Sequence, residues 1–368
     1  MRPSPRPMLR APRGAAALPL VLFAAALAAL GLLPLWLTNP YALHVMVLLF
    51  LAVIQGESWN VLGGYTGQYS VGHAAYFGIG AYATMMLLQY HHLAPWWGVW
   101  VAVAVAVAVG VVIGSITFRL RGPYFVLASI AVAEIIRLIA LNWTEVTNGA
   151  EGILLSDIPP LTIGGRLITD FASKVPFYYV GLVLAAMTIA VNYGVQHSKL
   201  GYYFQAIRED QDAAHSLGIS LTFYKNVALA ISAFFTAWAG AYYALYVGFV
   251  DPTGVLTVDT SVQIVLICII GGIGTILGPV VGALVLVPLS EALRSNLIAD
   301  GLFQLGLSET SPTGQFLKEN LAHAHVLIYG VLVVVVILFM PDGVLGFVKG
   351  LRRRFAGKAA AAPAKGAA

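Results

Sequence analysis

The chain of 368 residues is 59% hydrophobic and only 10% charged, with a formal net charge of +4 and a mean hydropathy of +0.85. A soluble domain carries roughly 25% charged residues, so this composition excludes a water-covered globular surface of this size. The basic residues flank apolar blocks rather than forming a patch, which argues against nucleic-acid binding, and the single cysteine cannot form an internal disulfide.

The apolar residues occur in unbroken blocks close to ~20 residues long, the length at which a helix crosses a bilayer core. They do not alternate with polar residues, as the strands of a membrane barrel would. The sequence therefore predicts an all-α, polytopic transmembrane helix bundle. Candidate spans lie near 15–37, 41–59, 68–89, 96–118, 123–141, 177–195, 222–249 and 324–340.

A further apolar block, 260–289, is interrupted by glycines and a proline. Lys and Arg accumulate on the cytoplasmic side of membrane proteins. If the N-terminus is cytoplasmic, the C-terminal arginine cluster is also cytoplasmic only when this block begins and ends on the outer side. We therefore predict that 260–289 forms re-entrant half-helices or a pair of short crossings, which gives about nine spans, or ten with the pair.

The two ends of the chain differ from this transmembrane domain, which is expected to cover 15–350. Residues 1–14 and 351–368 are basic and rich in proline, alanine or glycine, a composition typical of disordered tails.

Motifs for chemistry are lacking in the sequence. It has no phosphate-binding GxxxxGK[ST] motif, no HExxH motif and no Cys/His cluster with metal-ligand spacing. We expect a transport subunit rather than an enzyme, with no catalytic residue, no metal and no cofactor of its own. Any ATP must be hydrolysed by a partner.

The long polar segment 197–223, HSKLGYYFQAIREDQDAAHSLGISLTF, is predicted to lie on the cytoplasmic surface. Within it, Gln205 to Leu217 reads as one amphipathic helix that Gly218 ends. Such a helix can dock into a partner's groove, or it can lie flat on lipid. Its mixed charge favours the partner. The small apolar face comprises Ala206, Ile207, Ala213, Ala214 and Leu217.

The stretch AIREDQDAAHSLGI resembles the EAA coupling loop of bacterial ABC importer permeases, and more narrowly that of the branched-chain amino acid permeases. The resemblance covers roughly 40–350. It implies an inner-membrane subunit, ATPase subunits that grip the loop, a second homologous permease in a heterodimer, and an external substrate-binding protein. The distribution of Lys and Arg predicts that both termini are cytoplasmic. The implied coupling residues are Gln205, Ala206, Arg208, Glu209, Asp210, Ala213, Ala214 and Gly218.

Two glycine-rich stretches, Gly63–Tyr82 and Ile269–Ala283, also resemble elements of that family. Their glycines either permit tight helix packing or break a helix so that its backbone lines a substrate path. Glu134 and Arg137 share a helical face within a span, where they form a local ion pair or contact substrate. The expected path residues are Gly67, Gln68, Gly72, His73, Gly78, Glu134, Arg137, Gly271, Gly272 and Gly274.

Taken together, these features indicate the membrane subunit of an ATP-driven importer for branched-chain or related amino acids, working by alternating access. Urea or short amides remain alternative cargoes. A stand-alone secondary transporter or channel is the rival from a different class, and a scaffold without transport is a third. The rival would need ion-coupling carboxylates in its spans, and only Glu134 and Glu57 offer them.

Overall fold

The computed structural model describes residues 17–36, 39–155, 161–163, 166–169, 173–294 and scattered positions between 330 and 347. Helices dominate this part of the chain. In order they are α1 Ala17–Leu32, α2 Pro40–Trp59, α3 His73–His91, α4 Pro95–Thr117, α5 Pro123–Asn142, α6 Thr144–Thr147, α7 Lys174–Gln196, α8 Lys199–Glu209, α9 Gln211–Ser216, α10 Leu221–Val247, α11 Pro252–Val255, α12 Val258–Gly271 and α13 Gly278–Arg294. Short 3₁₀ turns occupy Leu33–Leu35 and Gly149–Glu151.

Proline marks where several of these helices begin. Pro40, Pro95 and Pro123 stand in the first turns of α2, α4 and α5. The missing N–H of proline is no loss there, because the first amides of a helix have no partner inside it. At α2, the Asn39 side chain also accepts a hydrogen bond of 2.9 Å from the backbone N–H of Tyr41, which satisfies one of those amides.

Six helical segments are long and apolar enough to cross a membrane, which agrees with the predicted all-α membrane bundle. They are Pro40–Tyr65, Pro95–Thr117, Pro123–Asn142, Lys174–Gln196, Leu221–Val247 and Pro252–Gly271. Shorter apolar helices cover Val21–Leu35 and Gly278–Ala292. The predicted span 324–340 falls largely outside the described residues, as do the tails 1–14 and 351–368.

Helices α3 and α10 approach each other most closely through glycine at the centre of the bundle. A Cβ at Gly240 would overlap the carbonyl oxygen of Phe77, and one at Gly80 would overlap that of Ala237. Each helix therefore uses a glycine to admit the backbone of the other, as membrane helices commonly do.

The interrupted block 260–289 forms a helical hairpin, as its glycines predicted. Helix α12 ends at Gly271, residues 272–277 turn, and α13 begins at Gly278. The two helices run antiparallel in close contact, because a Cβ at Gly271 would overlap Gly278 and one at Gly282 would overlap Ile267. The block therefore folds back on itself.

The predicted break in Gly63–Tyr82 is real but narrower than expected. Helix α2 continues through a π-helical turn, Asn60–Tyr65, and residues 66–72 separate this turn from α3. From His73 onward the chain is a regular helix, so the expected span 68–89 was wrong in its start. The glycines of 78 and 80 pack against other elements instead of breaking the helix.

Short strands join loops whose pairing was not predicted. Strand β1, Ile153–Leu154, pairs antiparallel with β4, Phe249–Val250. This pairing ties the loop after α5 to the loop after α10. Strands β2, Leu161–Ile163, and β3, Arg166–Thr169, form a separate antiparallel pair.

Candidate functional site

The predicted coupling helix is two helices, which corrects the expectation of one helix over Gln205–Leu217. Helix α8 ends at Glu209, and Asp210 has an extended backbone with φ −157°. Its carboxylate then accepts hydrogen bonds from the N–H groups of Asp212 (2.9 Å) and Ala213 (3.0 Å). Asp210 is therefore the N-cap of a new helix, α9. Gly218, at φ +85°, follows the end of α9 as expected.

The expected single apolar face is divided between the interior and the surface. Ile207 and Ala214 are buried, with 1% and 2% of their surface exposed. Ala213 is exposed, and Leu217 is 82% exposed. The buried residues anchor the two helices to the bundle. Ala213 and Leu217, four residues apart, leave a small apolar patch facing outward, and the neighbouring Asp212 is also exposed.

Two side chains from other elements hold α9 in place. Lys225 of α10 is buried, and its ammonium donates a 2.9 Å hydrogen bond to the side-chain oxygen of Gln211. Arg121, in the turn between α4 and α5, pairs with Asp212 at 2.8 Å on the surface. Lys225 was not among the predicted site residues. A lysine near the start of an apolar helix could have indicated a buried polar contact there.

Arg208 connects the end of α8 to both broken membrane elements. Its Nη1 donates a 2.7 Å hydrogen bond to the carbonyl oxygen of Gly64, in the π-helical turn. The same guanidinium lies against Gly274 in the hairpin turn, where a Cβ would overlap it. Its aliphatic part packs against Gly67, whose φ is +70°. Three glycines from the two glycine-rich stretches thus contact one arginine.

Asn60 joins the same two elements directly. Its side-chain oxygen accepts a 2.8 Å hydrogen bond from the N–H of Gly274, and its amide donates at 3.0 Å to the carbonyl oxygen of Thr275. The π-helical turn and the hairpin turn are therefore bonded side by side. Asn60 was missed by the sequence analysis, although a fully buried amide in an apolar helix is a recognisable signal.

Among the other predicted path residues, those of the break and of α3 are packed in the interior. The His73 ring is hydrogen-bonded through Nε2 to the hydroxyl of Ser232 at 2.8 Å and is fully buried. Gln68 is also buried. Gly72 lies against the backbone of Ser129, and Gly78 against the side chain of Leu256. These residues do not gather around one cavity.

Glu134 and Arg137 form a two-point ion pair on α5, with contacts of 2.5 and 2.9 Å. Their side chains remain 37% and 22% exposed, so the pair sits at the edge of the bundle rather than in its core. Glu57, by contrast, is fully buried and accepts a hydrogen bond from the amide of Asn192. Its carboxylate is therefore held inside the bundle, away from α5.

An apolar cavity of about 370 Å³ lies between α3, α4 and α5. Gly78 is the one predicted path residue that lines this cavity. Other lining residues include Tyr82, Met86, Ile139 and Trp143. Within the described residues there is no cluster of three or more His, Cys, Asp or Glu that could hold a metal ion.

The chain is similar to permeases of known description. A family model described as the permease component of the branched-chain amino acid transport system matches residues 41–337. The chain is 31% identical over 309 residues to the high-affinity branched-chain amino acid transport system permease protein LivM of Escherichia coli strain K12, covering 77% of this chain and 72% of that protein. It is 30% identical over 289 residues to the protein of the same name from Salmonella typhimurium strain LT2, covering 72% and 67%. No solved structure gave a significant match.

Proposed function

The chain belongs to the branched-chain amino acid permease family and is a permease subunit of an ABC importer, and we propose that its cargo is a branched-chain amino acid. The substrate would cross the bacterial inner membrane by alternating access. A separate subunit would hydrolyse ATP, and this chain would bind no cofactor. Family membership argues against a stand-alone channel or secondary transporter.

The coupling role is supported mainly by the outward-facing apolar patch of α9, whose helix is anchored to the bundle by buried residues. The patch of Ala213 and Leu217 is exposed, while Ile207 and Ala214 fix the helices beneath it. An exposed small apolar surface next to charged residues suits a protein groove better than lipid. We therefore infer that ATPase subunits bind here.

We propose about ten membrane crossings, with α12 and α13 as a pair and both termini cytoplasmic. Two observations support this arrangement. The hairpin turn is bonded to the π-helical turn and to Arg208 of the coupling segment, on the side expected to be cytoplasmic. The start of the hairpin follows β4, which pairs with β1 in a loop expected to be outside. A C-terminal reporter that reads out in the periplasm would contradict this topology.

We also propose that the edge of α5 bearing Glu134 and Arg137 contacts a second, homologous permease. A charged side chain near the bilayer centre costs about 2.5–3.5 kcal/mol on insertion scales, so such residues seldom face lipid. The partly exposed ion pair therefore favours a protein or water-filled neighbour for this face. An external binding protein would dock on the outer loops.

Arg137→Leu tests this assignment of α5. It should lower the thermal stability of the subunit in bilayers, because it leaves the Glu134 charge without its partner in the membrane. The doubly neutral variant Glu134→Gln/Arg137→Leu should restore thermal stability in bilayers but still co-purify poorly with the second permease. If the double variant binds that permease as well as the wild type, α5 does not face it.

The cargo is tested by uptake in cells that lack this chain. Accumulation of radiolabelled leucine, isoleucine and valine should fall to background and return when the wild-type chain is supplied, while urea uptake stays unchanged. The same assay in cells lacking the ATPase checks the energy source. Leucine uptake that persists there, or loss of urea uptake alone, would contradict the proposal.

A further inference from the structure

We propose that Arg208 is the positioning residue that transmits movement of the coupling helices to the two broken membrane elements. This inference rests on the proposed binding of ATPase subunits to α9. It goes further by naming one side chain as the link, and the two glycine-rich turns as what that side chain moves.

The electrostatics of the site favour a cation at this point. The C-terminal end of a helix carries a partial negative charge from carbonyl groups that lack partners. Helix α2 with its π-helical turn ends at Tyr65, and α12 ends at Gly271. The guanidinium of Arg208 hydrogen-bonds to Gly64 at the first of these ends and touches Gly274, three residues beyond the second. The arginine therefore caps the end of one membrane helix and lies against the turn that follows the other.

The fit around the side chain is specific to arginine. Gly67 and Gly274 both have positive φ angles, +70° and +76°, and a Cβ at either would meet Arg208. A flat guanidinium can bond to one helix end while lying against the neighbouring hairpin turn, whereas a lysine ammonium acts as a single compact charge. The two glycines thus form a slot for this side chain.

The position of Arg208 in the chain links it directly to α9. It stands in the last turn of α8, two residues before the Asp210 N-cap opens α9. Movement of α9 under a bound ATPase passes through this short connection. Because Asn60 bonds the two turns to each other, Arg208 shifts them together.

The test uses the complete importer, with its ATPases, second permease and binding protein, reconstituted in proteoliposomes. Two quantities are measured for each variant: co-purification of the ATPase, and substrate molecules transported per ATP hydrolysed. Arg208→Gln should keep ATPase co-purification but lower the transport ratio about tenfold, a size usual for coupling between sites. Arg208→Lys should give an intermediate ratio, because one donor to Gly64 remains. Arg119→Gln, an exposed arginine on the same predicted side, should behave as wild type.

Asn60→Ala supplies a second, independent variant that leaves α8 untouched. It should lower the same ratio, and the double variant with Arg208→Gln should be no worse than the more severe single variant, because both act on one connection. A wild-type ratio in Arg208→Gln, or simple additivity of the two variants, would overturn the inference. Loss of the ATPase in Arg208→Gln would make Arg208 a contact residue and overturn it as well. The proposed ATPase site is tested separately at Ala213, so the two ideas can fail independently.

Discussion

Ala213→Arg should separate the permease from its ATPase subunits while leaving the membrane bundle folded. Ala213 is exposed on α9, one turn before the exposed Leu217, so a large charged side chain would project from the surface into the space a partner needs. Placing an unpaired charge in a packed interface typically costs 2 kcal/mol or more, about 30-fold in the association constant. ATPase co-purification and ATP-dependent uptake should both be lost.

The matched variants for this prediction differ in size and burial. Ala213→Ser keeps a small side chain and should retain the ATPase. Ala214→Arg places the same charge at a site only 2% exposed, so it should lower the thermal stability of the subunit itself. If Ala213→Arg keeps its ATPase, the patch on α9 is not the docking surface.

Gly240→Ala should destabilise the bundle, although the change adds only one methyl group. That methyl would occupy the position of the Phe77 carbonyl oxygen, so α3 and α10 must move apart along a contact that includes Gly80. Overpacking of this kind costs about 1–3 kcal/mol, and more where backbone rather than a side chain must yield. A lower midpoint of thermal unfolding in detergent or lipid would report it.

Gly194→Ala is the control for that substitution. Gly194 lies within α7, and a Cβ there would meet nothing within 4 Å. Alanine stabilises a helix interior by about 1 kcal/mol relative to glycine, so this variant should be neutral or slightly more stable. If the two substitutions changed thermal stability equally, helix propensity and not the close approach of α3 would determine the effect at Gly240.

The sequence was sufficient wherever one local property determines the structure. The length of the apolar runs predicted the all-α membrane bundle, because a bilayer of fixed thickness selects helices of one length. It did not fix the number of spans: six helical segments of the described residues, not nine, are long and apolar enough to cross a membrane. Gly271, Gly272, Gly274 and Pro279 predicted the interruption in 260–289, because glycine and proline disfavour a continuous helix. The structure adds that this interruption is a hairpin turn.

The sequence-based prediction of one helix over Gln205–Leu217 was wrong because of a single residue, Asp210. Asp210 was counted as part of a polar helical face, since its spacing fits one. An aspartate can also act as an N-cap, by accepting hydrogen bonds from the first backbone amides of a helix. Asp210 does so here, so α8 ends before it and α9 begins after it. Periodicity alone did not separate these readings, because two short helices in sequence keep nearly the same pattern.

The link through Arg208 could not have been predicted from local pattern. Its bond to Gly64 joins positions 144 residues apart. The glycines at 63 and 64 also indicated a break, yet the helix continues past them, because Gly63 packs against Trp59 and Gly64 against Asn60 and Gly274. Contacts of this range depend on how the whole bundle assembles.

The π-helical turn at Asn60–Tyr65 sets the register of the chain that follows α2. Such a turn holds one residue more than an α-helical turn would. Each residue of an α-helix advances the chain by about 1.5 Å and rotates it by about 100°. Conversion of this turn to regular helix would therefore swing the chain beyond it around the helix axis and withdraw the Gly64 carbonyl from Arg208. A change confined to this one turn would thus rotate the segment that follows it.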